Sequence, residues 1–284
     1  MAIFTNQATL TYNNVTTNSN VATGELLEVL SATKTAVTPS YTPGSDITYV
    51  ISILNSGGTA LSGINISDDL GAFPFGAQNL SPLVYQAGSV RLFINGILQS
   101  TPTVTGENPL TVTGISIPAG GNAILLYEAV ATEFAPLDIG AQLINTATVS
   151  FGGTAAPVQA TASVSPASAP NLTITKTISP AVVTENSRVT YTFIIQNFGN
   201  TAALGTDNVA VTDTFLPILS DLTVQLDGAA LTAGSTYSYN QSTGLFATVP
   251  GVITVPAASF TQNSTTGAWE ITPGAATLTV TGTI

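Results

Sequence analysis

The sequence predicts an all-β fold, and three observations carry that prediction. Small and β-branched residues dominate the chain, which has 44% hydrophobic and only 7% charged residues, a composition typical of strands rather than helices. The 25 Gly and 16 Pro residues are scattered along the whole length as turn signals. Between them, segments such as FTNQATLTY at 4–12 alternate apolar and polar residues, which is the pattern of a half-buried strand.

The charged residues exclude several classes of function. The chain carries 15 Asp plus Glu against 4 Lys plus Arg, a formal net charge of -11, so a nucleic acid is not an expected partner. It contains no His and no Cys, which excludes imidazole and thiolate metal sites and the catalytic pairs that depend on His. We therefore expect no metal, no cofactor and no enzymatic activity beyond a reaction of the chain with itself.

An internal repeat defines the domain organisation. Residues 34–55, KTAVTPSYTPGSDITYVISILN, align without a gap with residues 176–197, KTISPAVVTENSRVTYTFIIQN. A Gly-containing turn and a short alternating strand follow in each copy, INISDDL at 64–70 and VAVTDTF at 209–215. The sequence predicts two β-sandwich domains, domain 1 at 30–165 and domain 2 at 171–284, joined by a linker at 166–170.

Domain 2 is expected to lack its closing strand. Domain 1 continues with LINTATVSFGG at 143–153 and VQATASV at 158–164, and domain 2 has no counterpart of either segment. The missing piece resembles the start of the chain, FTNQATLTYNN at 4–14. We interpret residues 1–29 as an arm, a donor strand or hairpin that supplies the final strand of a domain 2.

Two ways of closing domain 2 stay open. In the first, the arm of one subunit completes domain 2 of the next by donor-strand complementation, and the head-to-tail contact builds a filament. In the second, the arm folds back on its own domain 2 and gives a monomer. One of them is expected, because an unpaired strand edge beside exposed core is unfavourable. In either case the period of two assigns one face of the arm to the interface, namely Phe4, Asn6, Ala8, Leu10 and Tyr12.

Each domain directs one Lys, one Asp and one Asn toward its core. The alternation in LSATKTAV at 30–37 and LTITKTI at 172–178 places both lysines of the chain on an apolar strand face. Because lysine is almost never buried without a partner, a partner is expected for each. The same argument on the central and last strands gives two sets: Lys34, Asp68 and Asn145 in domain 1, and Lys176, Asp213 and the arm's Asn6 in domain 2.

These residues also carry a resemblance to known families. The chain resembles, over nearly its entire length, the bacterial surface repeat called domain of unknown function eleven. The resemblance rests on the pattern KT, P, G, TY, N, G, V.V.D and N.A.V. That resemblance implies tandem Ig-like antiparallel β-sandwiches on a bacterial surface. The first-strand Lys, central acid and last-strand Asn are similar to those of the isopeptide-forming sandwich domains of Gram-positive pilins and adhesins.

The second similarity implies a reaction. Carried over by position, Lys34 would be the nucleophile, Asn145 the amide that loses ammonia and Asp68 the acid, although pilin domains often use Glu. Burial favours a neutral lysine and a protonated carboxyl group, so the chemistry is reasonable. The alternative is a buried Lys–Asp salt bridge with Asn completing its hydrogen bonds. In domain 2 the same reaction would join Lys176 to Asn6. If the arm comes from a neighbouring subunit, this bond would link two subunits of the filament.

The function expected from these observations is a structural subunit of a bacterial surface filament. A monomeric, self-closed adhesin or ligand-binding module on the cell surface is the alternative. The expected location is extracellular, on a cell or spore, although the first 30 residues contain no Lys or Arg and show no signal peptide. No apolar run approaches the roughly 20 residues of a membrane span, so membrane insertion is not expected.

Overall fold

The structure is a computed structural model that describes residues 2–26, 29–152 and 156–284. Met1, Leu27 and Glu28 of the predicted arm lie outside the described residues. The described part contains 28 strands and one short 3-10 helix, Gly205–Asp207, so the all-β prediction is confirmed. The chain divides into two compact units, residues 1–39, 44–132 and 144–164 in one and residues 40–43, 133–143 and 165–284 in the other.

The arm folds as a long β-hairpin. Tyr12 pairs with Val15 across a two-residue turn, in which Asn13 and Asn14 have φ angles of 46° and 62°. Two central residues with positive φ are the signature of the type I′ turn, and Asn tolerates that conformation better than other side chains do. The two antiparallel ladders of the hairpin are β1 (Ala2–Asn6) with β4 (Ala22–Leu26) and β2 (Thr9–Tyr12) with β3 (Val15–Asn18).

Domain 1 is a sandwich of two sheets. The first sheet has the strand order β13 (Ile97–Leu98), β12 (Arg91–Ile94), β16 (Asn122–Ala131), β7 (Asp46–Asn55) and β5 (Leu30–Ala36), with β11 (Leu83–Tyr85) also on β16. The second has the order β14 (Thr103–Glu107), β15 (Leu110–Ile117), β8 (Leu61–Asp68), β17 (Leu143–Ser150), β18 (Val158–Pro166) and β6 (Ser40–Tyr41). A small hairpin is formed by β9 (Phe73–Phe75) and β10 (Gln78–Leu80).

Strict alternation in the long strands builds the core of domain 1. In β7, the residues Ile47, Tyr49, Ile51 and Ile53 are fully buried, and the residues between them face outward or are half-buried. The same alternation in β17 buries Leu143, Asn145, Ala147 and Val149. Because successive side chains of a strand point to opposite faces, a buried polar residue on such a strand is aimed at the sheet opposite.

Domain 2 repeats the first sheet but has a much smaller second sheet. Its first sheet has the order β19 (Leu172–Ser179), β20 (Arg188–Asn197), β28 (Gly274–Thr283), β22 (Ser220–Leu226) and β23 (Ala229–Ala230). Its second sheet has three strands, β21 (Thr212–Thr214), β25 (Leu245–Thr248) and β24 (Tyr237–Asn240). A separate hairpin is formed by β26 (Ser259–Gln262) and β27 (Trp269–Thr272).

The two second sheets differ at the strand that carries the acidic residue. In domain 1, β8 lies between β15 and β17 and is paired along both edges. Its counterpart β21 pairs with β25, and β21 is an edge strand of its three-stranded sheet in the described part of the chain. One edge of β21 therefore has no neighbouring strand, and its backbone groups can pair with a further strand, apart from the Thr214 N–H, which donates to Asp213 Oδ1.

Candidate functional site

A salt bridge closed to solvent lies between the two sheets of domain 1. Lys34 Nζ is 2.7 Å from Asp68 Oδ2, and the side chains are 0% and 1% exposed. Lys34 comes from β5 in the first sheet and Asp68 from β8 in the second, each on the inward phase of its strand. The ring of Tyr49 lies against the ammonium group, with its centroid 4.8 Å from Nζ, so both a carboxylate and an aromatic face stabilise the charge.

Tyr127 connects this pair to Asn145. The Tyr127 hydroxyl donates a hydrogen bond of 2.8 Å to Asp68 Oδ2. Asn145 Nδ2 in turn donates one of 2.8 Å to the Tyr127 hydroxyl oxygen. The structure thus brings Lys34, Asp68 and Asn145 together as the sequence predicted, in a relay with a fourth member between the acid and the amide.

Sequence reasoning did not single out Tyr127, although the signal was present. The segment NAILLYEAVA at 122–131 alternates, and its phase puts Tyr127 on the same face as Ala123 and Leu125, all of which are buried. A tyrosine on the inward face of a strand requires a hydrogen-bond partner for its hydroxyl. A search for such a partner would have pointed to the buried carboxyl group.

Burial shifts the pKa of both members of the salt bridge in the direction that favours the neutral form. Desolvation lowers the pKa of Lys34 from 10.5 to about 8, against the attraction of Asp68. Desolvation also raises the pKa of Asp68 above its ordinary value of 3.8, against the opposing influence of Lys34. A lysine that loses its proton more readily is a better nucleophile, and a carboxyl group that keeps its proton is a better acid.

The corresponding pair in domain 2 is open to solvent. Lys176 Nζ donates to Asp213 Oδ2, but the side chains are 40% and 18% exposed. Three aromatic rings surround the ammonium group, with centroids 4.7 Å away for Tyr191 and 5.5 Å away for both Phe193 and Phe215. The expectation that Lys176 is buried is therefore wrong for the chain by itself, although its strand phase and its partner are as predicted.

The opening extends along the whole of β19. Every residue of this strand is exposed, whereas β5 in domain 1 alternates between buried and exposed positions. Leu172 is 36% exposed while its repeat partner Leu30 is 8% exposed. We call the exposed face of β19 together with the free edge of β21 the domain 2 cleft.

The difference between the domains lies in the strands beyond the acidic strand, of which β17 is the first. In domain 1, β17 pairs with β8, and Ala147 lies opposite Asp68 in the ladder. This strand directs Leu143, Asn145 and Val149 into the core, where Asn145 reaches Tyr127. The described part of domain 2 has no strand in this position, so Lys176 and Asp213 stay in contact with water.

The predicted interface residues of the arm are all exposed. In the hairpin Asn6 lies opposite Ala22. The large apolar side chains of the same face, Phe4, Leu10 and Tyr12, are each more than half exposed. The structure therefore presents the arm with its apolar face uncovered, and it does not bring Asn6 to the Lys176–Asp213 pair.

Neither a membrane-crossing helix nor a metal-binding cluster is found in the part of the chain that the structure describes. No helix among residues 2–26, 29–152 and 156–284 has the length and apolarity needed to cross a membrane. Within the same ranges, no group of three or more Asp, Glu, His or Cys side chains could hold a metal ion.

Comparisons with known proteins give similarity at the level of solved structures. No family model matches the chain, and no curated protein matches it. A variant of the major pilin subunit of Bacillus cereus is similar over 96% of this chain and 73% of that one, with 13% identity and a TM-score of 0.41. A C-terminal fragment of a major pilin of Streptococcus agalactiae is similar over 81% of this chain and 79% of that one, with 12% identity and a TM-score of 0.38. For the collagen adhesin from S. aureus the coverage is 55% of each chain, with 13% identity and a TM-score of 0.31, so the present chain spans about half of that structure.

Proposed function

We propose that this protein is the structural subunit of a bacterial surface filament, polymerised by donation of the N-terminal arm of one copy into the domain 2 cleft of the next. The observation that carries the proposal is the contrast between the two domains at equivalent positions. Lys34 is buried in domain 1, where β17 pairs with the strand that carries its partner Asp68, whereas Lys176 is exposed in domain 2, whose described part has no counterpart of β17. The arm supplies a sequence of the β17 type with its apolar face uncovered.

The repeat fixes the register in which the arm would dock. Asn6 of the arm corresponds to Asn145, and Asp213 corresponds to Asp68. In domain 1 the ladder places Ala147 opposite Asp68 and Thr148 opposite Ser67. Transferred to the cleft, this register sets Ala8 opposite Asp213 and Thr9 opposite Thr212, with Asn6 directed inward.

The gain from docking has two physical sources. Backbone groups along the free edge of β21 would acquire partners, as they do along β8. The apolar side chains of the arm and of β19 would leave water together, at about 25 cal/mol per Å² of apolar surface buried. Both terms favour a strand that alternates in phase with the cleft, and the arm alternates in that phase.

A covalent lock between copies is part of the proposal. With Asn6 in the place of Asn145, Lys176, Asp213 and Asn6 reproduce the Lys, acid and Asn set of domain 1. An amide bond between Lys176 and Asn6 would make the junction resistant to detergent and heat. A cell-surface location follows from this role and is proposed together with it.

The second candidate is a monomeric surface adhesin or binding module that closes its own cleft. The same exposed arm and the same open cleft support it, because each chain carries one of each. The two functions differ in whether the donor and the acceptor belong to one molecule.

Engineered disulfides test the register and separate the two candidates. The chain has no Cys, so Thr9→Cys with Thr212→Cys introduces one pair on the outward face of the proposed ladder. The Asn6→Ala background removes any amide cross-link. We expect a ladder of multimers on a non-reducing gel that collapses to monomer on reduction.

The matched control moves one thiol out of register. Thr5→Cys with Thr212→Cys lies on the same face of the arm, four residues away, and should give no ladder. A disulfide confined to the monomer in the in-register pair would favour the self-closed adhesin. Equal cross-linking of the two pairs, or none in either, would contradict the proposed docking.

A further inference from the structure

Tyr127 and Val280 occupy the same position of the repeat. In domain 1, Tyr127 on β16 lies opposite Tyr49 on β7. In domain 2, Val280 on β28 lies opposite Tyr191 on β20, and Tyr49 aligns with Tyr191 in the gapless repeat. Both positions are completely buried, so domain 1 has a phenol at the centre of the site where domain 2 has an isopropyl group.

In domain 1 this hydroxyl stands between the acid and the amide. It donates to Asp68 Oδ2 and accepts from Asn145 Nδ2, both at 2.8 Å. Transfer of the amide would need the carboxyl group to donate a proton to the amide and Lys34 Nζ to approach its carbon within reacting distance. Tyr127 bonds the carboxyl oxygen of Asp68 and the amide nitrogen of Asn145 and keeps a phenol between them, while the buried amide oxygen of Asn145 has no hydrogen-bond partner.

In domain 2 the position of the phenol is apolar, although the ring of Tyr191 also lies near Lys176, with its centroid 4.7 Å from Nζ. Val280 replaces the phenol, and Phe193 and Phe215 lie within 5.5 Å of Lys176 Nζ. An asparagine that enters from the arm meets the Lys176–Asp213 pair with no hydroxyl interposed from the Val280 position. Docking would also exclude water from that pair, as β17 does for Lys34 and Asp68.

We infer that the two Lys, Asp and Asn sets have diverged in role, so that the covalent bond forms at the junction between copies, Lys176 to Asn6, and the set inside domain 1 stays non-covalent. This inference rests on the proposed docking of the arm. It makes assembly itself the event that completes the reactive site, because Asn6 belongs to another copy.

The reaction at the junction is balanced without a co-reactant. Lys176 Nζ passes a proton to its partner Asp213 and attacks the side-chain carbon Cγ of Asn6, and the Asp213 carboxyl group donates a hydrogen bond to the amide oxygen as negative charge develops there. Asp213 then relays a proton from the attacking nitrogen to the departing one. The Cγ–Nδ2 bond breaks, one ammonia leaves, and one secondary amide joins the two copies.

The test compares assembled and unassembled full-length protein. Intact mass of the unassembled chain should equal the sequence mass, because domain 1 has not reacted. Filaments boiled in detergent should give a ladder, and each linkage should lower the mass by one ammonia. Peptide mapping of the ladder should recover Lys176 joined to Asn6.

Two substitutions of Val280 distinguish the effect of the hydroxyl group from the effect of side-chain size. Val280→Tyr should preserve filaments by electron microscopy but abolish the detergent-resistant ladder. Val280→Phe, which adds the ring without the hydroxyl, should preserve both. Asn6→Ala gives the reference for filaments that lack the bond, should the larger side chains impair folding.

The outcomes are distinct from those of the proposed function. Filaments of the wild-type chain that dissociate entirely to monomer would overturn the inference and the covalent lock, while arm donation stands. Loss of one ammonia in the unassembled chain would overturn it too, because domain 1 would then have reacted. Wild-type protein that forms no filaments would remove both the junction and the proposed function.

Discussion

Asp68 holds Lys34 at 2.7 Å inside domain 1, with both side chains closed to solvent. The equivalent pair of domain 2 has the same partners but remains in contact with water. One chain therefore contains the same ionic contact in a closed and an open environment, and each serves as the control for the other.

Removal of one member of the closed pair should destabilise domain 1 strongly. Lys34→Met leaves Asp68 buried without its cation, and loss of one partner of a buried pair costs about 3–5 kcal/mol. Lys176→Met in the unassembled chain removes a largely solvated pair, which costs at most about 1 kcal/mol. Calorimetric unfolding of the two variants measures the difference, and equal losses would contradict the assigned environments.

The stability of domain 1 should depend on pH through Lys34. Its pKa is lowered to about 8 in the folded chain, mainly by burial. Between about pH 8 and about pH 10 the unfolded chain therefore binds a proton at this residue that the folded chain has released, so the free energy of unfolding rises with pH. Above that window Tyr127 opposes the trend, because burial raises its pKa well above 10 and only the unfolded chain then loses the phenol proton.

Urea unfolding across this window isolates the contribution of Lys34. The difference in the free energy of unfolding between the wild-type chain and Lys34→Met should change in favour of the wild-type chain as the pH increases from about 8 to about 10. Parallel curves for the two proteins would show that the ionisation of Lys34 is not linked to folding.

Substitutions on the two faces of the arm should have opposite outcomes for assembly. Leu10→Lys places a charge on the face that enters the cleft, where an unpaired charge is strongly disfavoured. It should abolish filaments. Thr11→Lys introduces the same charge one residue away on the outward face and should leave them intact, as seen by sedimentation and electron microscopy. Equal tolerance of both would rule out the assigned face.

Removal of the arm should prevent polymerisation altogether. A chain without residues 1–14 of the arm retains the open cleft but has lost the donor segment 4–12, so it should stay unpolymerised or aggregate through its exposed edge. Addition of the missing segment as a peptide should suppress that aggregation. Normal filaments of the truncated chain would contradict arm donation.

Chemical labelling of the two lysines should report on assembly. An amine-reactive ester should modify Lys176 in the unassembled chain and spare Lys34, which is buried. In filaments Lys176 should become resistant as well, because the arm covers it. Peptide mass mapping measures both sites in one sample, with Lys34 as the internal standard, and unchanged labelling of Lys176 on assembly would argue against the docked arm.

Much of this architecture was predictable because strand alternation and an internal repeat are both local signals. The inward phase of Lys34, Asp68 and Asn145 followed from a period of two, and the structure buries all three. The same period of two, applied to the second copy of the repeat, put Lys176 and Asp213 in one set, and the structure pairs them. These inferences need no knowledge of how the sheets are packed.

Other features depend on packing that a strand pattern does not contain. The exposure of Lys176 results from the lack of a neighbour on β21, whereas its own strand has the same phase as β5. The insertion of Tyr127 between Asp68 and Asn145 depends on which side chains meet across the sandwich. A single-sequence pattern assigns a residue to a face but does not identify the atom it touches.

The open cleft and the free arm have a consequence for the ends of an assembly. In the proposed filament every copy would contribute one donor and one acceptor, so a linear chain of any length would keep an unfilled cleft at one tip and an unused arm at the other. The two tips are chemically unlike, which gives the polymer a direction and allows growth at each tip to be controlled separately. Termination at either tip would then require a different polypeptide, one that carries only a donor strand or only an acceptor cleft.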